Sequence, residues 1–123
     1  MTVIIAGSTG FTIAQDQAAM MISAVMFSKN PIKVGEDQTI TVTVIDASTN
    51  KLIEGATVAI TSNPPDFATT YNFTNTTNVD GQMTYTIPLE DNALPGDYFT
   101  NIQISKQGYT QLGEFTHFIV LPP

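Results

Sequence analysis

The chain has 123 residues, of which 42% are hydrophobic and only 12% charged, about half the usual share near 25%, so Thr, Ser, Asn and Gln must cover its surface. Eleven carboxylates stand against four lysines and no arginine, giving a formal charge of -7; on this reading there is no phosphate-neutralising surface, so nucleic acid is excluded as a partner and anionic membrane surfaces are disfavoured. Cysteine is absent, which removes thiol chemistry, zinc ribbons and disulfide frameworks, and the longest apolar run, 18–27, is far short of the ~20 residues of a spanning helix.

In chain order, residues 1–18 stand apart as an N-terminal arm and residues 19–123 form one domain, long enough to bury roughly two-thirds of its unfolded surface. Within the arm, 2–6 is β-prone, 7–10 is flexible, and 11–17 mixes apolar residues with Gln15, Asp16 and Gln17. The arm has the apolar centre and small residues of a secretory signal's back half, with Thr12-Ile13-Ala14 as the cleavage region, but no basic segment precedes them. Gly10-Phe11-Thr12-Ile13 is similar to the processing site of type IV pilins. That likeness stops there, because Asp16 interrupts and the apolar run ends at Phe27.

Past the arm the hydrophobic period is two, which predicts strands with one face in a core. The clearest spans 39–46, where Ile40, Val42 and Val44 alternate with Thr39, Thr41 and Thr43. The same pattern puts Ala56, Val58 and Ile60 on one face of 56–61, and Met83, Tyr85 and Ile87 on one face of 83–87. Weaker runs at 20–27, 69–74, 98–105 and 113–121 complete seven strands, each bounded by Gly, Pro, Asn or Asp. Asp80-Gly81 and Pro95-Gly96 read as tight turns, the second as type II. Seven short strands with regular turns and no helix predict an all-β, immunoglobulin-like Greek-key sandwich with an N-terminal extension.

Several segments carry a family resemblance. Val42-Thr43-Val44-Ile45-Asp46 followed by Glu54-Gly55-Ala56-Thr57-Val58 resembles a hairpin of bacterial and archaeal immunoglobulin-like surface repeats and macroglobulin-type sandwich domains. Thr77 to Pro88, Gly96-Asp97-Tyr98 and Lys106-Gln107-Gly108-Tyr109 match further segments of that pattern, so the resemblance covers residues 20 to 121. It implies the sandwich fold, with Gly55 and Gly81 in conformations a side chain would strain and Tyr98 as a tyrosine corner. It implies little about activity, since such modules act as stalks, adhesin repeats, filament subunits and enzyme spacers.

A search for chemistry finds few parts. His117 is the only histidine, and no serine or cysteine elbow accompanies it, so no enzyme is expected. No cofactor is expected either, although Glu90, Asp91 and Asp97, with Asn92, are candidate calcium ligands in the loop 88–97 and match no EF-hand spacing. Lys33 and Glu114 are the candidates for an isopeptide staple, but the last strand offers no Asn or Asp. Asn72 and Asn75 each begin a glycosylation acceptor pattern.

The arm supplies the leading functional expectation. Ordering five residues costs roughly 5–10 kcal/mol of backbone entropy, while burying Val3 and Ile5 returns about 3–6 kcal/mol. An arm of Thr2, Val3, Ile4, Ile5, Ala6, Phe11 and Ile13 therefore needs a groove in an open-edged sandwich. If that groove belongs to the next copy, head-to-tail donation builds a homopolymer: an extracellular, cell-surface filament or pilus-like fibre. The second expectation is a spacer or glycan-binding module of a larger secreted protein; a glycan site needs an exposed aromatic platform, and the candidates off the core face, Phe99, Tyr71 and Tyr109, form no obvious row in sequence.

Overall fold

The computed structural model describes residues 17–123, and every regular element among them is a strand. The strands are β1 (Ala18–Phe27), β2 (Ile32–Lys33), β3 (Asp37–Asp46), β4 (Thr57–Asn63), β5 (Tyr71–Thr76), β6 (Gln82–Pro88), β7 (Gly96–Ser105), β8 (Tyr109–Thr110) and β9 (Leu112–Leu121). They form a four-stranded sheet in the order β6-β3-β1-β8 and a five-stranded sheet in the order β2-β9-β7-β4-β5. All seven predicted strands are present within one or two residues. The two short pieces, β2 and β8, are additional.

Alternation decides which residues are inside. Ile40, Val42, Val44, Met83 and Ile87 from the first sheet meet Val58, Ile60, Ile102, Ile104, Phe118 and Val120 from the second in one buried cluster. Each such side chain contributes about 1.5–3 kcal/mol on burial. In β1 the alternation changes phase. A bulge between Ile22 and Ala24 leaves Ser23 out of the ladder, so Ile22, Val25 and Phe27 lie opposite the buried Val44, Val42 and Ile40. Without the bulge, Val25 and Phe27 would face water.

Two connections differ from the sequence expectation. The segment that resembles a hairpin runs from β3 in one sheet to β4 in the other, so it crosses between sheets. The Asp80-Gly81 turn likewise joins β5 to β6 across the two layers. Crossing is held by polar groups that the ladder leaves unpaired: the Thr77 hydroxyl accepts from the Ala56 amide at 2.9 Å and donates to the Ile53 carbonyl at 2.6 Å. Gly81 sits at φ 70° with its carbonyl accepting from the Val44 amide. Pro95-Gly96 is not the centre of a type II turn: Gly96 has φ 129° and is the first residue of β7.

The chain also changes sheets between β1 and β2. Ser28 still pairs with Thr39, after which Asn30 accepts a hydrogen bond from the Ile119 amide at 3.0 Å and β2 runs parallel to the end of β9. The wholly buried Gln38 side chain fills the corner.

Candidate functional site

The candidate arm residues Thr2, Val3, Ile4, Ile5, Ala6, Phe11 and Ile13 lie outside the described residues. What is described is the flank where that arm joins the domain. There β1 and β9 are neighbouring edges of the two sheets. Among the described residues, β1 is paired on its outer side only at Ala18 and Ala19, with β8, and β9 only at Val120 and Leu121, with β2. Core-facing residues along this flank are incompletely covered: Ile22, Val25, Phe27 and Leu112 are half-buried, and Glu114, directly opposite the buried Ile102, is exposed. The opposite flank is closed by Phe73 and Tyr85, whose rings stack at 4.8 Å and 5°.

The candidate calcium ligands are sent in three directions. Glu90 lines a cavity of about 280 Å³ at one end of the sheets with Asp66, Asn92, Tyr71 and Tyr98. Asp91 lies against Gly35, where a Cβ would come within 2.5 Å of its Oδ1. Asp97 points outward from β7 opposite Ile119. Among the described residues, no group of three or more His, Cys, Asp or Glu side chains gathers as metal binding requires.

Tyr98 is buried beside this cavity and packs on Phe118 and Tyr71. Burial pushes its hydroxyl pKa up, with Tyr71 and Asp66 adding to the effect and a backbone hydrogen bond from Leu94 opposing it.

Lys33 and Glu114 are not brought together. Lys33 pairs with Leu121, seven residues along β9 from Glu114, a separation of roughly 23 Å at strand rise. Asn72 and Asn75 both lie exposed on the edge strand β5; the Asn72 carbonyl accepts from the Thr61 hydroxyl at 3.0 Å.

The three aromatics singled out from sequence part company. Tyr71 is half-buried against Tyr98, and Tyr109 donates its hydroxyl to Asp46 at 2.8 Å. That hydrogen bond is the main cause holding the Asp46 carboxyl below its ordinary range and raising the Tyr109 hydroxyl above its own. Phe99 alone faces outward on the five-stranded sheet. There it gathers partners that the sequence does not announce: the Phe67 ring lies parallel at 6.3 Å, the His117 ring meets it edge-on at 6.4 Å, and Phe115 stands one position further along β9 on the same face. His117 therefore lies on an aromatic surface. The outward alternation of Phe115 and His117 is readable in sequence; nothing local marks Phe67, which comes from a loop.

No family model and no curated protein matches the chain. Among solved structures, the alkylpurine DNA glycosylase AlkC of Pseudomonas fluorescens, bound to DNA containing an abasic site analogue, is similar in fold, with a TM-score of 0.52 and 15% identity over 84% of this chain. The chain spans 30% of the length of that protein. The match corrects one expectation: a DNA-bound protein contains this fold, so the exclusion of nucleic acid drawn from net charge does not stand.

Proposed function

We propose that this chain is a non-catalytic extracellular module of immunoglobulin-like Greek-key connectivity, and that it assembles into a surface filament by donating its N-terminal arm to the next copy. The connectivity reading is supported by the order of the strands: the steps from β3 to β4, from β5 to β6 and from β6 to β7 each pass from one sheet to the other.

One observation carries the assembly reading, and it is the open flank between β1 and β9. Most of both outer edges is unpaired among the described residues, and the half-buried Ile22, Val25, Phe27 and Leu112 lie between them. An added strand gains main-chain hydrogen bonds and covers this apolar margin, the physics of strand addition. Residues 2–6 place Val3 and Ile5 on one face, as such a strand needs, and the sixteen residues before Gln17 reach on the order of 50 Å when extended. Donation to a neighbour repeats without closing and builds a fibre.

Electron microscopy of the full chain beside a version lacking residues 1–16 tests this at matched concentration. Fibres from the full chain and none from the truncation support it. Fibres from both, or from neither, overturn it.

A further inference from the structure

The outer face of the five-stranded sheet has a composition that the assembly reading does not use. Phe67, Phe99 and Phe115 are 60%, 46% and 80% exposed, and Phe99 contacts both Phe67 and His117. Ring centroids 6.3 Å apart at 5° describe an offset pair, so each ring leaves part of its flat face to solvent. Phe67 is held there at φ 56°, a conformation rare for a bulky residue, by a turn in which its amide donates to the Pro64 carbonyl and Asp66 accepts from the Ala68 amide. Strain of this kind is characteristic of positions that are used.

Beside the rings, the outward positions of β7, β4 and β5 carry Asn101, Gln103, Thr61 and Asn72, all neutral. They are partly paired with one another: Gln103 donates to Asn101 at 3.0 Å and Thr61 to Asn72 at 3.0 Å. Each of the three amides keeps hydrogen-bonding capacity toward solvent.

We infer that this face is a carbohydrate-binding platform, on which the C–H face of a neutral pyranose stacks on Phe99 and Phe115 while its hydroxyls meet the amides of Asn101 and Gln103. The ring quadrupole presents a negative face to polarised C–H bonds, and neutral amides donate to and accept from hydroxyls equally well. A second copy of the chain fits less well. The three phenylalanines expose on the order of 400 Å² at ~200 Å² per ring residue, within the ~300–600 Å² of the largest apolar patch on an ordinary monomer, so the area by itself calls for no second copy. Ile119 and Leu121 prolong the row along β9 and keep it within that range. The inference does not rest on strand donation, because this face and the open flank are different surfaces.

Saturation-transfer NMR on the full chain tests the platform with three probes at millimolar concentration, cellohexaose, chitohexaose and laminarihexaose, and works whether or not fibres form. Transfer concentrated on the ring C–H protons of at least one probe is expected. Phe99→Ala and Phe115→Ala should each weaken that binding by about tenfold, on the scale of a lost aromatic contact. Phe99→Leu, which keeps apolar bulk, should weaken it similarly, and Val79→Ala, at an exposed turn elsewhere, should not. No transfer from any probe overturns the inference, as does wild-type affinity in Phe99→Leu or an equal loss in Val79→Ala. Binding of a ten-residue thymidine oligonucleotide at this face in place of the sugars, or dimerisation in sedimentation that Phe115→Ala abolishes, also overturns it.

Discussion

The side-chain amide of Gln38 pairs with both backbone polar groups of Lys29: its Oε1 accepts from the Lys29 N–H at 3.2 Å and its Nε2 donates to the Lys29 carbonyl. The same Oε1 accepts from the Ser28 hydroxyl at 3.0 Å. A side chain thus stands in for a neighbouring strand where the chain leaves one sheet for the other. Replacing Gln38 by Leu fills the space but removes its three hydrogen bonds to Ser28 and Lys29, each worth about 0.5–1.5 kcal/mol net. We expect Gln38→Leu to lower stability by about 2–3 kcal/mol, read as a shift in urea midpoint at unchanged slope. A loss below about 0.5 kcal/mol would mean that water serves the corner equally well.

Phe115 and Phe118 lie on the same strand and face opposite ways. Phe118 is wholly buried between Phe27 and Tyr98, with centroids at 5.4 and 5.2 Å, whereas Phe115 is solvent-facing. Phe118→Ala should cost about 3–5 kcal/mol and Phe115→Ala less than about 0.5 kcal/mol in the same denaturation experiment. Similar losses at both sites would contradict the register of β9 on β7.

Gly81 is confined on two counts. Its φ of 70° is unfavourable for a side chain, and a Cβ there would stand 2.8 Å from the Val44 carbonyl oxygen. Gly81→Ala should therefore destabilise by about 1–3 kcal/mol, whereas Gly108→Ala, also at positive φ but with open space around it, should cost nearer the lower end. Thermal unfolding of the pair separates strain from crowding.

The Tyr109–Asp46 hydrogen bond makes stability depend weakly on pH. The Asp46 carboxyl is depressed from 3.8, first by Tyr109 and then by the Thr49 and Ser48 amides, so its contribution is complete above 3.8 and disappears as pH falls through the depressed folded value. Tyr109 is raised from 10.0, first by Asp46, so its contribution is present below 10.0 and disappears as pH rises through the raised value. Carbon-detected NMR titration should show the Asp46 carboxyl moving back toward 3.8 in Tyr109→Phe without reaching it, because the two amides remain. An unchanged titration would rule out the hydroxyl as the leading cause.

Much of the fold is legible along the chain itself. The strand 39–46 stands out because Thr and aliphatic residues alternate without a break. The run 20–27 is weaker for a definite reason: the bulge at Ser23 reverses the phase halfway along, so two half-patterns are superposed. Connections are harder to read. Asp80-Gly81 has the composition of a hairpin turn, but turn chemistry constrains local backbone angles and says nothing about which sheet the next strand joins. The same limit applies to Glu90, Asp91 and Asp97, neighbours in sequence whose side chains leave the loop in different directions.

The sequence by itself determined that this is an all-β chain and which face of most strands lies inside, because side-chain direction in a strand has a period of two and needs only neighbours along the chain. Tertiary structure decided everything that depends on pairs remote in sequence. It placed Phe67, Phe99, Phe115 and His117, drawn from a loop and two strands, on one surface, and it left β1 and β9 as adjacent edges with most of their outer sides unpaired among the described residues. The physical reason is that sheet order and register are set by the packing of whole strands against one another, and no local pattern encodes which strand arrives beside which.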